Sequence, residues 1–143
     1  MSTRQDGAKS PRVRSEADLV AWIAAGEKPK ADWRIGTEHE KFVFHTDTLT
    51  PVPYEGERGI RALMEQLMAR YDWEAIKEGN NIIALKRPDA APGGTISLEP
   101  GGQFELSGAP LQSLHETCAE TQEHLFEVLS VGEDLGIGFL GVG

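Results

Sequence analysis

Thr95-Ile96-Ser97-Leu98-Glu99-Pro100-Gly101-Gly102-Gln103-Phe104-Glu105-Leu106-Ser107 reads as two short strands folded back on each other. Proline fixes its own φ and glycine accepts positive φ, so Pro100-Gly101-Gly102 has the chemistry of a tight turn. The strands on either side, Thr95 to Glu99 and Gln103 to Ser107, then make an antiparallel hairpin. Alternation sends Gln103, Glu105 and Ser107 to one side of the second strand, and Phe104 and Leu106 to the other, toward a core.

Working outward, Pro92-Gly93-Gly94 precedes the hairpin, and Ile82 to Lys86 supplies a third strand before it, which extends the hairpin into a meander. Further upstream, Trp33 to Phe44 also alternates. Glu38, Glu40, Phe42 and Phe44 fall on one side, with Ile35, Thr37, His39 and Val43 on the other. A sheet face bearing Glu38, Glu40, Glu99 and Glu105 cannot be a hydrophobic core. Such carboxylates repel unless a cation sits among them, and hard divalent ions suit oxygen ligands. The face turns apolar at Phe42 and Phe44, which predicts a pocket with a polar mouth and an apolar floor. Gly101 and Gly102 would let a ligand approach the backbone closely. Solvated surface is the bland alternative for a Glu-x-Glu pair.

Three segments read as helices. Ser15-Glu16-Ala17-Asp18 opens the first in capping-box style, Leu19, Trp22 and Ile23 give it an apolar stripe, and Gly26 can end it. Ile60, Leu63, Met64, Leu67, Met68 and Tyr71 recur at helical spacing in the second, its methionines being core filler. The third runs from Ser113 to Leu135, with Leu114, Cys118, Thr121, Leu125, Val128 and Leu135 as its expected buried stripe and Gly136 as its stop. Ile137 onward reads as a strand just beginning, and an unpartnered apolar edge there leaves homo-oligomer formation open. The fold class expected is α+β, an antiparallel sheet with flanking helices.

The 143-residue chain is of single-domain length, and its net charge of −9 argues against nucleic acid as a partner. One cysteine, Cys118, excludes an internal disulfide framework and suits a reducing, cytoplasmic setting. No apolar run approaches the roughly 20 residues of a membrane helix. Residues 1 to 14 read as a disordered tail, polar and without the apolar stretch of a secretory signal, an organelle transit peptide being the alternative. Among the histidines, His39 points away from Glu38 and Glu40 and is expected to pack or lie at the surface, His115 and His124 are expected at the surface, and His45 sits near a turn. No Ser-His-Asp arrangement, zinc spacing or phosphate-binding loop is present.

Four stretches together carry a resemblance: Ile35-Gly36-Thr37-Glu38-His39-Glu40-Lys41-Phe42, Ile96 to Pro110 (ISLEPGGQFELSGAP), Leu114-His115-Glu116-Thr117-Cys118-Ala119-Glu120, and Gly136-Ile137-Gly138-Phe139-Leu140-Gly141. They closely resemble glutamate–cysteine ligase of the plant and proteobacterial type, in order, from about Trp33 to the last residue. The resemblance implies an α+β fold related to glutamine synthetase and incomplete in this chain, with residues 15–143 as the N-terminal part of a catalytic domain. It implies glutamate, cysteine and ATP as small-molecule partners and Mg2+ as cofactor, the reaction passing through γ-glutamyl phosphate in the first step of glutathione synthesis. It carries the metal role to Glu38, Glu40, Glu99 and Glu105, a substrate or nucleotide contact to Gln103, and a redox-sensitive disulfide role to Cys118. Family enzymes are considerably longer, so the chain is expected to be a fragment and inactive alone. Two rivals stand beside this expectation. One is a γ-glutamyl ligase for another amine, and the other is a non-catalytic remnant that binds a metal or a partner through its sheet edge.

Overall fold

The structure, a computed structural model, describes residues 12–88 and 93–142. Pro92 of the expected Pro-Gly-Gly turn and residues 1–11 of the expected tail lie outside that range. The chain divides after Trp33 into two units. In the first, Ser15 caps helix α1 (Glu16–Ala24) through the expected reciprocal box. The Asp18 amide donates to Ser15 Oγ at 3.3 Å, and the Ser15 amide to Asp18 Oδ2 at 3.0 Å. Leu19, Trp22 and Ile23 form the stripe the sequence shows, yet all three are exposed. A short 3-10 turn, Lys30–Asp32, closes this unit, with Trp33 Nε1 donating to the Lys28 carbonyl at 2.9 Å.

The second unit contains β1 (Glu38–His45), α2 (Ile60–Arg70), β2 (Glu74–Glu78), β3 (Asn81–Lys86), β4 (Thr95–Leu98), β5 (Phe104–Ser107), α3 (Leu114–Leu135) and β6 (Ile137–Leu140). Every strand pair is antiparallel, in the order β2-β3-β4-β5-β1-β6. β1 has two partners, each covering half of it: β5 lies along Glu38 to Lys41, and β6 along Phe42 to His45. The α+β expectation holds, with one strand more than the sequence suggested. β2 reads as polar surface because it is an edge strand, bound to β3 alone and alternating little.

One sheet face and the two helices make the core. Leu63, Met64 and Leu67 of α2, Val128 and Val131 of α3, and Leu85, Ile96 and Phe104 of the sheet are completely buried. Each such side chain stabilises the fold by about 1.5–3 kcal/mol. On α3 the observed stripe is His124, Glu127, Val128, Val131, Gly132 and Leu135. The expected stripe is therefore corrected. Leu114 and Cys118 are exposed, because only the C-terminal half of the helix lies over the core and Cys118, six residues before His124, points to another side at 3.6 residues per turn. Gly136 caps this helix in the left-handed region at φ 62, as its sequence position suggests.

The Pro100-Gly101-Gly102 turn is present between β4 and β5. Gly101 and Gly102 have φ of 88 and 81, and nothing lies within 4 Å of where a Cβ would stand on either. An alanine would thus meet no atom but would have to hold a left-handed backbone, at a cost of about 1–2 kcal/mol. Gly102→Ala should lower the stability by that amount, read from a lower urea midpoint at an unchanged m value.

Candidate functional site

The sheet face turned away from the helices carries the acidic residues. Register places Glu40 directly opposite Glu105, and Glu105 directly opposite Ser97 on the next strand. Glu38 stands opposite Ser107, so three carboxylates and two hydroxyls occupy neighbouring rungs. Gln103 Nε2 donates to Glu40 Oε2 at 3.2 Å, and Ser107 Oγ to Glu105 Oε1 at 2.6 Å. Glu99 follows β4 beyond Gln103, its amide donating to the Gln103 carbonyl at 2.9 Å and its Oε1 lying 3.5 Å from Ser97 Oγ. Glu38, Glu40, Glu105 and Gln103 are thereby gathered on β1 and β5, with Glu99 one strand further out.

Glu105 is only 3% exposed although it belongs to the open face. Its flanking residues and its hydrogen bond to Ser107 hold the carboxylate in place. Two like charges directly opposite in a ladder destabilise it. Local chemistry therefore argues against keeping both glutamates unless something cationic joins them. Among the described residues, no group of three or more His, Cys, Asp or Glu side chains could hold a metal ion by itself.

Two hollows open on and beside this face. One of about 340 Å3 is lined by Glu38, His39, Glu40 and Gly141. The other, about 490 Å3, has Phe42, Phe44, Leu49, Pro51, Gly101 and Gly102 in its wall. The single pocket expected from the sequence is thus two: a polar one at the start of β1 and an apolar one at its end, beside the glycine turn.

The reverse side of β1 holds residues that sequence reasoning passed over. Lys41 is 1% exposed, and its Nζ donates to the His39 carbonyl at 2.7 Å and to His39 Nδ1 at 2.9 Å. Burial lowers its pKa to about 8, against the opposing pull of the Glu105 charge. His124, expected at the surface, is 2% exposed instead. It stacks beside Phe104 with centroids 6.5 Å apart and meets the His39 ring edge-on at 6.4 Å. Its place on α3, four residues before Val128, turns it inward. Among the described residues, neither ring nitrogen has a hydrogen-bond partner. Burial first, then the positive charges of Lys41, His39 and Arg87, push its pKa down to about 3.

A folded pKa below the unfolded 6.5 means that the unfolded chain binds more protons between those two values. The stability tied to neutral His124 is present above pH 6.5 and is lost as pH falls toward 3. Between pH 7 and 4.5 the chain should lose about 2–3 kcal/mol from this source. His124→Leu should flatten that decline, as read from urea midpoints at the two pH values.

Comparison with known proteins identifies the family of this region. The family model for glutamate-cysteine ligase family 2 (GCS2) matches residues 34–143. The chain is 56% identical over 129 residues to glutamate–cysteine ligase A, chloroplastic, of Oryza sativa subsp. japonica, covering 90% of this chain and 25% of that protein. It is 52% identical over 139 residues to the chloroplastic enzyme of Nicotiana tabacum, covering 97% of this chain and 25% of that protein. Against the Arabidopsis thaliana enzyme it is 52% identical over 126 residues, or 88% of this chain and 23% of that protein. The chain spans about a quarter of the length of these curated relatives. Their names overturn the cytoplasmic expectation: each of these relatives is described as chloroplastic. A lone cysteine indicates a reducing compartment without saying which one. With the matched region beginning one residue after the division at Trp33 and containing both acidic strands, the chain belongs to glutamate–cysteine ligase family 2.

Proposed function

We propose that residues 15–143 form the N-terminal part of the catalytic domain of an ATP-dependent ligase that joins the γ-carboxyl of glutamate to the amino group of cysteine. The observation that carries this reading is the direct Glu40–Glu105 pair on the open sheet face, within the region shared with the family. Glu40 and Glu105, with Glu38 beside them, would hold magnesium. Magnesium, when bound, would neutralise charge on the β- and γ-phosphates of ATP. Gln103 orients the Glu40 carboxylate through its side-chain amide and presents its remaining polar atoms to nucleotide or substrate. Glu99 would contribute at the outer margin of the same face. Phosphoryl transfer from ATP to the γ-carboxylate gives an acyl phosphate and ADP. The cysteine amine then attacks the acyl carbon, and phosphate leaves. The exposed thiol of Cys118 is accessible for a redox-sensitive disulfide, with its partner supplied by another segment.

The test is a chimera in which residues 34–143 replace the corresponding quarter of the rice enzyme. ADP release that requires both glutamate and cysteine supports the reading. A folded chimera that turns over only with another amine shifts the assignment to a different γ-glutamyl ligase. A folded chimera with no turnover favours a non-catalytic remnant.

A further inference from the structure

His39 lines the same hollow as Glu38 and Glu40, although alternation sends its Cβ to the opposite side of the strand. The reason lies in the pairing of β1. Along Glu38 to Lys41 only β5 is bonded to it, and β6 covers only Phe42 to His45. The other edge of this first half therefore has no strand partner among the described residues, and the hollow sits there. Gly141 forms part of its wall, and a Cβ built on Gly141 would stand 3.7 Å from His39 Nε2. The glycine leaves that nitrogen a clear approach.

The proton on the His39 ring can be placed. Lys41 Nζ lies 2.9 Å from His39 Nδ1, and an ammonium has donors only. Nδ1 must therefore accept. An imidazolium has no accepting nitrogen, so a ring that accepts from the Lys41 ammonium at Nδ1 is neutral. A neutral ring with an accepting Nδ1 carries its proton on Nε2. The second Lys41 bond, 2.7 Å to the His39 carbonyl, fixes the ammonium against the same residue's backbone, so it cannot swing away.

We propose that His39 presents an Nε2–H donor to a phosphate or carboxylate oxygen bound in this hollow beside Glu38 and Glu40, and that Lys41 is the positioning residue that sets this tautomer. The proposal deepens the magnesium-site reading and rests on it, because an anionic oxygen would enter between two glutamates only with a cation. It also accounts for a lysine kept almost fully buried at an energetic penalty, with no carboxylate hydrogen-bonded to its ammonium among the described residues.

Two measurements on the 143-residue chain test it. The first is long-range 1H–15N correlation of 15N-histidine-labelled protein. His39 should show an unprotonated Nδ1 and a protonated Nε2, and Lys41→Met should return it to a mixture of tautomers. An Nδ1–H form in the parent, or no change in Lys41→Met, overturns the positioning role. The second is binding of Mg2+ with ATP and, in a separate arm, Mg2+ with glutamate, which distinguishes a phosphate from a carboxylate occupant. His39→Gln, whose amide nitrogen can stand near the Nε2 position, should retain affinity within about threefold, whereas His39→Ala should lose about tenfold, or about 1.4 kcal/mol. Parent binding with His39→Ala unchanged overturns the donor role alone. If the parent binds neither pair, the magnesium-site reading falls and the donor role falls with it.

Discussion

Glu105→Gln should weaken Mn2+ or Mg2+ binding at least tenfold while leaving the fold in place. The carboxylate is buried, stands directly across from Glu40 and accepts a hydrogen bond from Ser107. Glutamine preserves the shape and can still accept from Ser107 through its amide oxygen. What it removes is half of the two-carboxylate site proposed for a hard cation that tolerates few substitutes. The stability change should stay within about 1 kcal/mol, since relief of Glu40 repulsion offsets the lost attraction to Lys41. Titration calorimetry and urea unfolding on the same sample separate the two effects. An unchanged affinity, with folding intact, would remove Glu105 from the metal site. In the rice chimera the same substitution should abolish most turnover.

Glu127→Ala should produce the largest loss of stability of any single change considered, about 3–5 kcal/mol. Glu127 is 3% exposed on α3 and accepts from Trp73 Nε1 at 2.7 Å and from Arg87 at 2.7 Å. Arg87 also reaches Glu123 at 2.9 Å, and its guanidinium lies 4.0 Å from the Trp73 ring centroid. Removing the carboxylate strands the buried Trp73 indole N–H and leaves the partly buried Arg87 with Glu123 as its remaining carboxylate partner among the described residues. Urea unfolding gives the magnitude, and the pair Arg87→Met with Glu127→Leu supplies the control. If desolvation of the charges is what matters, the double variant should recover most of the loss. If it is as unstable as Glu127→Ala, the cost comes from a packing defect and the ionic account fails.

Much of the fold can be read directly from sequence, and the exceptions have physical causes. The β4–β5 hairpin is legible because Pro100-Gly101-Gly102 offers few other conformations and because Phe104 and Leu106 alternate cleanly with Glu105. The same alternation correctly puts Glu38, Glu40, Gln103 and Glu105 on one face. His124 and Glu127 are illegible because a polar residue on a helix reads as surface. Glu127 is buried against Trp73 and Arg87, 54 and 40 residues away, and His124 against Phe104 and His39. Lys41 is illegible for a related reason: a lysine on a strand reads as surface, and its burial follows from its place opposite the buried Phe104 of β5. α1 shows the converse, an apolar stripe that is legible in sequence and left uncovered among the described residues.

The alternation along β1 has a consequence for how such a chain can change over time. Val43 belongs to the folded core, while Glu38 and Glu40 contribute nothing to it. A lineage released from the reaction should therefore drift first at the even positions, with Val43 held by folding alone. Lys41 is the informative exception, an odd position whose ammonium penalises folding. Its replacement by an apolar residue would mark a gene in which the chemistry, but not the fold, had been abandoned.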